Sequence, residues 1–397
     1  MFKVNTDSTG FTALHSFTAL SASDPYTNSD GYQPAAGLIL SGNILYGTAF
    51  EGGSSDFGTV FGISTDGTGF TNLHSFDYNS ISNGAYPLCA LALSENVFFG
   101  TTQAGGSHSL GTVFKVNIDG SSFTNLHDFN GSDGESPTAG LILCGNTLFG
   151  TTTYGGSSNY GTVFKINTDG MGFNLLHTFV SRGDSSRSDG AYPYGELVLS
   201  GNILYGTTRE GGYNYGTVFK VNTNGTGFTN LYSFTNGNDG GGPQAGLAVS
   251  GKMLYGTATQ RGAWGNGTVF AVDTDGTAFT VLHAFTALSN FRDSDGTHPH
   301  AGLFLAGRTL YGTAYGGGSS DRGTVFSLSF APSLTISPSG TNVVLMWPSN
   351  YVGFDYAGFV LQSAPVINGT FTNILGATSP YTNSLPATQR FFRLVSN

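Results

Sequence analysis

The chain has 397 residues, of which 61 are Gly and only 10% are charged, and its formal net charge is −10. The 14 basic residues form no cluster, which argues against nucleic acid and anionic membranes as partners, and no apolar run reaches the roughly 20 residues that span a bilayer. Abundant Gly, Phe and Tyr with few strong helix formers predict an all-β protein of short strands and tight turns.

The first residues predict two strand segments, at 2–5 and 11–17. The start, Met1-Phe2-Lys3-Val4, lacks the charged and apolar regions of a signal peptide. Both segments match parts of a unit that recurs along the rest of the chain, where they correspond to the end of a third strand and to a whole fourth strand.

The tetrapeptide Gly-Thr-Val-Phe occurs six times at intervals of 50 to 56 residues, which indicates a repeat architecture. Its copies begin at Gly58, Gly111, Gly161, Gly216, Gly267 and Gly323. The copy in residues 137–179 predicts four antiparallel strands, at 139–143, 147–151, 161–166 and 173–179. Turn residues separate them, including Asp169-Gly170, which favour the positive φ of tight hairpins.

Six four-stranded sheets with apolar faces predict a six-bladed β-propeller over residues 1–330, because radial stacking buries both faces of each blade. An open β-solenoid is the structural alternative. The last copy ends after its third strand at Phe330. We therefore expect the N-terminal strand at 11–17 to complete the last blade and close the ring, removing two exposed sheet edges.

Two elements recur in nearly every copy and are expected to build the blade. The fourth strand carries a His in five copies, which we interpret as a hydrogen-bonding residue, since histidines on separate blades cannot share a metal ion. An Asp/Asn-Gly-x-x-Pro element precedes each first strand and is expected to cap a turn. The fourth-strand residues are His15, His74, His127, His177, Tyr232 and His283, and the Asp/Asn residues are Asp30, Asn83, Asp133, Asp189, Asp239 and Asp295.

Residues 331–397 contain no copy of the motif. Short alternating segments at 334–336, 343–347, 358–361 and 391–394 predict a small β-sandwich of the immunoglobulin or fibronectin type III kind. At 67 residues this module is near the lower limit for independent folding, so we expect it to dock against the propeller.

The repeating unit resembles the Gloeo/Verruco tandem repeat (GloVer) of bacterial surface proteins. The resemblance covers residues 1–330 and is clearest from Leu204-Tyr205-Gly206-Thr207 to Phe234. The tail, with Leu345-Met346-Trp347-Pro348 and Gln389-Arg390-Phe391-Phe392-Arg393-Leu394, is similar to the C-terminal β-sandwich modules of secreted Verrucomicrobia-type proteins. The resemblance implies an extracellular or cell-surface location and carries no established catalytic residues.

The working surface is expected where the copies differ, on the face that holds the long second-to-third and blade-to-blade connections. Aromatic and acidic residues at these positions could stack on sugar rings and hydrogen-bond their hydroxyls. The candidate ligand-binding residues are Tyr86, Tyr154, Tyr192, Tyr194, His298, His300, Glu51 and Glu210.

His298-Pro299-His300 is the one local pair with potential chemistry, because alternation places both side chains on one side of an extended strand. No third metal ligand accompanies it in the sequence, so neither a metal nor a cofactor is predicted.

The leading hypothesis is a non-enzymatic, monomeric binding or scaffold protein whose ligand is a glycan or another surface protein. The rival is a propeller-type polysaccharide lyase or glycoside hydrolase. It would use His298 or His300 with Tyr192 or Tyr194 as acid and base, and the carboxylates Glu51 and Glu210 are further candidates. A purely structural spacer is the third possibility, and the fold alone does not rank the three.

Overall fold

The computed structural model describes residues 1–23, 26–77, 83–180, 188–286, 295–330, 332, 334–347, 350–351, 354–355, 359–384 and 389–396. All regular structure in these residues is β, which confirms the predicted class. No helix in this part of the chain is long and apolar enough to cross a membrane.

Six antiparallel sheets follow one another along the chain, here numbered sheet 1 to sheet 6, and strands within each pair in chain order. Sheet 1 contains Ile39–Ser41, Ile44–Ala49, Thr59–Ser64 and Thr71–Ser75. Sheet 2 contains Ala92–Ser94, Val97–Thr102, Thr112–Asn117 and Thr124–Asp128. Sheet 3 contains Ile142–Cys144, Thr147–Thr152, Thr162–Asn167 and Asn174–Thr178.

The second half of the chain repeats this pattern. Sheet 4 contains Val198–Ser200, Ile203–Thr208, Thr217–Asn222 and Thr229–Ser233. Sheet 5 contains Ala248–Ser250, Met253–Ala258, Thr268–Asp273 and Phe279–Ala284. Sheet 6 has three strands among the described residues, Phe304–Ala306, Thr309–Ala314 and Thr324–Ser329.

The turns account for this regularity. In sheet 3 the hairpin between the third and fourth strands turns at Gly170, whose φ of 87° lies in the region open to glycine. The carboxylate of Asp169 accepts the backbone N–H of Met171 at 2.8 Å. The four strands predicted for this copy are present, although the first begins three residues later than expected, at Ile142.

Apolar side chains are buried between successive sheets, and five such clusters join sheet 1 to sheet 2 and so on to sheet 6. The Val and Phe of the Gly-Thr-Val-Phe motif are 0% exposed in sheets 1 to 5, for example Val163 and Phe164. The motif is therefore the apolar filling between sheets, which explains why it recurs.

A second contact recurs along the chain at the fourth-strand position, which holds His in five copies and Tyr232 in sheet 4. In sheet 3 the ring of His177 stacks on Phe228 of sheet 4 with centroids 3.6 Å apart, and its Nε2 lies 2.7 Å from Oδ2 of Asp189. The same ring–carboxylate contact joins His15 to Asp30, His127 to Asp133 and His283 to Asp295, at 2.8 to 3.0 Å. The histidines therefore occupy separate junctions in hydrogen-bonding roles.

The predicted closure of the ring by the N-terminal strand is wrong. In the part of the chain that the structure describes, Thr12–Ala13 pairs only with Phe2–Lys3, and Thr324–Ser329 has no strand on its outer edge. Within the N-terminal segment, Phe2–Lys3 takes the place of the third strand beside Thr12–Ala13. The segment packs on sheet 1, where the His15 ring stacks on Phe70 with centroids 4.1 Å apart.

Sheet 6 therefore keeps an open edge. Val325 of its motif is 51% exposed, whereas the equivalent valines of sheets 1 to 5 are 0% exposed.

After Phe330 two antiparallel sheets of three strands share one apolar core. Thr335–Ser339, Asn342–Met346 and Tyr381–Ser384 form the first, and Phe359–Ala364, Thr372–Asn373 and Phe391–Ser396 form the second. Asn350–Tyr351 and Phe354–Asp355 form a separate pair. Leu345, Trp347 and Leu361 are the buried centre of that core. The guanidinium of Arg308 in sheet 6 lies 4.7 Å from the Phe359 ring, so this module contacts the repeats as expected.

Candidate functional site

The loop face is held by a backbone scaffold that recurs in all six repeats. The residue two positions before the recurrent Pro pairs with the second-to-third connection of its own repeat, as Ala191 does with Glu210 and Thr297 with Gly316. The short strands Gly84–Ala85 with Ala104–Gly105, and Ser188–Ala191 with Glu210–Gly212, are the longest of these pairings. Loop residues that vary between copies are thus carried on a fixed frame.

The residue directly before each Pro has a positive φ, between 51° and 61°. These residues are Gln33, Tyr86, Ser136, Tyr192, Gly242 and His298. A non-Gly residue held there costs on the order of 1–3 kcal/mol and persists where the surroundings enforce it. At Tyr192 two hydrogen bonds do so: its N–H donates to the Tyr160 carbonyl at 2.9 Å, and its carbonyl accepts the Arg209 N–H at 3.0 Å.

Four tyrosines from sheets 3 and 4 converge on this scaffold, and we call Tyr154, Tyr160, Tyr192 and Tyr194 the tyrosine cluster. The ring of Tyr192 lies edge-on to Tyr154 and Tyr160, with centroids 5.3 and 5.7 Å apart. The hydroxyls of Tyr154 and Tyr194 are 3.4 Å apart. Three of the eight predicted ligand-binding residues, Tyr154, Tyr192 and Tyr194, are therefore in mutual contact.

The surroundings favour the neutral form of the Tyr154 and Tyr192 phenols. The hydrogen bond with Tyr194, aided by burial, raises the pKa of Tyr154 to about 12. Burial raises the pKa of Tyr192, and the charge of Glu210 adds to the effect. Neutral phenols present an apolar face and a hydroxyl that can donate or accept, which suits binding of polar rings better than proton abstraction.

A cavity of about 240 Å3 opens beside the cluster. Tyr160, Tyr192, Glu210 and Asn214 line it together with the backbone at Gly190, Ala191 and Gly211. This volume is below the roughly 300–1,000 Å3 of pockets for drug-sized molecules, so it fits a single ring or a comparable group. Glu210, predicted from sequence, thus lies against Tyr192 at the same site.

The two predicted histidines lie close to this site on sheet 6. Partial burial lowers the pKa of His300, and the charges of His298 and Arg209 add to this effect, which places all three side chains near one another. The His300 ring also lies 5.7 Å from Tyr315 in an edge-on contact. No group of three His, Cys, Asp or Glu in the described ranges could hold a metal ion.

Tyr86 and Glu51 lie in a different part of the loop face, in the first two repeats. Tyr86 packs on Phe50 and Phe57, with centroids 5.0 and 5.5 Å apart. Glu51 accepts the Gln33 side-chain amide at 3.3 Å. No contact among the described residues joins either one to the tyrosine cluster.

Arg209 was not predicted, yet it sits at the centre of the site. It directly precedes Glu210, and its guanidinium lies 5.7 Å from the centroid of the Tyr194 ring. Its charge also acts on Tyr154 of sheet 3 and on His300 of sheet 6. The equivalent positions in the other copies hold no charge: Phe50, Gln103, Thr153, Thr259 and Tyr315.

Glu196 was also missed, although a comparison of copies would have found it. The equivalent positions hold only small residues: Gly37, Ala90, Gly140, Gly246 and Gly302. The Glu196 carboxyl occupies space beside Gly140, where a Cβ would lie 3.1 Å from its Cδ. Burial raises the pKa of Glu196 to about 7.

Glu196 follows Tyr194 by two residues, so a titratable carboxyl lies next to the tyrosine cluster along the chain. Among the described residues, the buried hydroxyl of Thr151 has no hydrogen-bond partner, whereas its equivalents Thr101 and Thr207 donate to the next repeat at 3.0 and 2.9 Å.

The Gloeobacter/Verrucomicrobia repeat model matches residues 1–212 and 183–373. The chain belongs to this repeat family. No curated protein is similar enough to match the chain. The unit that recurs in this Gloeobacter/Verrucomicrobia repeat protein is thus the unit of a defined family. The second match extends past the last Gly-Thr-Val-Phe motif into the C-terminal module.

Among solved structures, the repeat protein is similar to an oligogalacturonate lyase in complex with manganese. That likeness has a TM-score of 0.52 at 9% identity and covers 83% of this chain and 82% of the other. An oligogalacturonate lyase from Vibrio parahaemolyticus gives a TM-score of 0.48 at 9% identity, with 83% of each chain covered. A chain of a nidogen/laminin complex gives 0.41 at 15% identity, covering 73% of this chain and 86% of that one. At these identities the likeness concerns the β-propeller-like fold alone.

Proposed function

We propose that this protein is a non-enzymatic binding protein whose ligand is a glycan held by the tyrosine cluster. The observation that carries the proposal is the convergence of Tyr154, Tyr160, Tyr192 and Tyr194 beside a cavity of about 240 Å3. Aromatic faces stack on sugar rings, while the phenol hydroxyls, Glu210 and Asn214 offer hydrogen-bond partners to sugar hydroxyls.

The proposal extends to the architecture and location. The six sheets are taken as the blades of one six-bladed propeller over residues 1–330, followed by an immunoglobulin-like or fibronectin-like sandwich at 331–397. Five buried junctions between successive sheets and the shared core of the two C-terminal sheets support this division. The protein is proposed to act outside the cell or at its surface as a monomer without a cofactor.

An enzyme is the second candidate, and Glu196 is the observation that favours it. A carboxyl whose pKa burial raises to about 7 has the property of a general acid near neutral pH. The tyrosines weigh against the lyase form, because the pKa of Tyr154 is raised to about 12 and not lowered as a base requires. Release of oligosaccharides from a polysaccharide panel, lost in Glu196→Gln, would favour the enzyme.

Substitutions that test the binding site can be chosen from the residues that other repeats have at the equivalent positions. Gly242 occupies the position of Tyr192 with the same positive φ, and Ala104 occupies the position of Tyr154. Tyr192→Gly and Tyr154→Ala are therefore compatible with the backbone. Tyr86→Gly is the matched control, since Tyr86 has the same φ and lies outside the cluster.

The test is a glycan array followed by calorimetry with the best binder. We expect Tyr192→Gly and Tyr154→Ala each to weaken binding at least about tenfold, equivalent to about 1.4 kcal/mol, and Tyr86→Gly to leave it unchanged. An array with no ligand would refute the glycan proposal and favour a purely structural spacer, and unchanged binding in both Tyr192→Gly and Tyr154→Ala would place the binding site outside the tyrosine cluster.

A further inference from the structure

Arg209 is a half-buried cation in an acidic chain, and it has no anionic partner among the residues that the structure describes. The ion pairs in the described residues are four His–Asp contacts, and none involves Arg209. Its guanidinium is half-buried and lies 5.7 Å from the Tyr194 ring. A guanidinium that is positioned by an aromatic face and left without a carboxylate is free to bind one from a ligand.

The position of Arg209 is central to the loop face. Its charge reaches Tyr154 of sheet 3 on one side and His300 of sheet 6 on the other. Sheet 5 follows sheet 4 and precedes sheet 6, and its repeat has Gly242 at the position that Tyr192 and His298 hold in the repeats of sheets 4 and 6. No side chain at that position therefore separates Tyr192 from His298. Arg209, His298 and His300 together make a basic group beside the tyrosine cluster.

The acidic groups of the site lie elsewhere. Glu210 lines the cavity, and its charge acts on Tyr192. Glu196 is buried beside Gly140. The site thus has an acidic side, suited to sugar hydroxyls, and a basic side, suited to an anion.

We propose that the ligand is a glycan that carries a carboxylate, and that Arg209 is the residue that selects it. This inference rests on the proposed glycan site. The sugar ring lies against the tyrosine cluster, and its carboxylate pairs with the Arg209 guanidinium through charge-assisted hydrogen bonds, with His298 and His300 alongside. A neutral sugar of the same shape leaves the guanidinium unpaired.

The experiment compares uronic acid oligosaccharides of six residues, prepared from pectin and from alginate, with the same oligosaccharides after reduction of their carboxyls to neutral sugars. Affinities are measured by calorimetry on the full chain at two salt concentrations. Wild type is expected to bind the acidic form at least about tenfold more tightly, with a preference that falls as salt rises.

Three variants assign the effect. Arg209→Gln is expected to abolish the preference, because it lowers the affinity for the acidic form far more than the affinity for the neutral form, and Arg209→Lys is expected to restore only part of the preference. Arg261→Gln is the matched control, because Arg261 stacks on Tyr215 at 5.8 Å on the same face and no described contact joins it to the cluster.

The outcomes separate this inference from the glycan proposal. Equal affinity for acidic and neutral forms would overturn the inference and leave the glycan site intact. A preference for the acidic form that persists in Arg209→Gln would overturn the assignment to Arg209. Binding of neither form, together with an array without ligands, would remove the glycan site itself.

Discussion

Glu196 gives one repeat a buried titratable carboxyl that the other copies lack. Five copies place Gly or Ala at its position, and only sheet 4 places a carboxyl there. The small residues of the other copies leave the space into which this side chain fits, against Gly140. Burial of the carboxyl disfavours its charged form, which makes the stability of the fold depend on pH near neutrality.

Replacing Glu196 with Gln is therefore expected to stabilise the protein at high pH and not at low pH. The pKa of Glu196 is raised from 4.5 to about 7 in the folded chain, so the native state binds the proton more tightly than the unfolded state. The resulting stabilisation is full below about pH 4.5 and is lost as the pH rises through about 7. Above pH 8 the burial of the charge costs on the order of 3 kcal/mol, which Glu196→Gln avoids.

Chemical denaturation at pH 5 and at pH 8.5 measures this difference. The control is Glu210→Gln, because Glu210 is an exposed residue on the same repeat. Parallel stability–pH curves for wild type and Glu196→Gln would show that the carboxyl is not buried in solution.

The site residues illustrate what a single sequence can and cannot provide. Comparison of the copies singled out the variable positions, and of these Tyr154, Tyr192, Tyr194 and Glu210 lie together. It could not tell that Tyr86 would pack on Phe50, since the position within a repeat does not reveal which neighbouring loops meet. Arg209 and Glu196 were missed because the comparison was limited to other positions of the repeat.

At the level of the strand, the fourth-strand contact combines a His, a Phe of the next sheet and an Asp, and the copies show which replacements of the His and the Asp it accepts. His177 stacks on Phe228, and Asp189 accepts both the His177 ring at 2.7 Å and the Val180 N–H at 3.0 Å. Elsewhere in the chain Tyr232 replaces the His and reaches Asp239 at 2.9 Å, while Asn83 replaces the Asp and pairs with His74 at 3.1 Å.

These natural exchanges predict the outcome of mutation at the junction between sheets 3 and 4. His177→Tyr and Asp189→Asn should change the free energy of unfolding little, because each keeps a hydrogen bond that another copy makes. Asp189→Ala should destabilise by about 1–3 kcal/mol, because the partly buried ring and the Val180 N–H both lose their acceptor.

Urea denaturation of the three variants measures these effects, with the exposed His108→Tyr as a control. Equal free energies of unfolding for Asp189→Ala and Asp189→Asn would show that the hydrogen bonds of Asp189 do not stabilise the fold.

The strands themselves were predictable because their signals are local. Asp-Gly turns, alternation and the repeated motif fix each hairpin within about 40 residues of sequence. The sheet against which the N-terminal segment packs was not predictable in this way. In sheets 1 to 5 the fourth strand packs against the sheet that comes next in the chain. Residues 11–17 have a fourth-strand sequence and pack in the same way against sheet 1, where Leu14 lies beside Gly67.

For the whole molecule, stability is expected to depend on how many neighbours each sheet has. In a repeat array each unit contacts only its neighbours, so the stability is close to a sum of units and junctions. Sheets 2 to 5 have a buried junction on both sides, whereas the described residues give sheet 6 one apolar cluster with a neighbouring sheet, that with sheet 5. The unpaired outer edge of Thr324–Ser329 and the exposure of Val325 follow from this.

Hydrogen exchange should therefore be uneven between strands of nearly identical sequence. We expect the amides of Thr324–Ser329 to exchange at least about tenfold faster than those of Thr217–Asn222, whose strand is paired on both sides. Mass spectrometry of peptides from the two motifs measures this directly, and Thr162–Asn167 serves as a second internal reference because it has the same double pairing. Equal protection of all three strands would mean that the edge of sheet 6 is covered in solution, either by the N-terminal segment after all or by a second molecule. Dilution of the protein separates those two cases, since only cover by a second molecule is lost at low concentration.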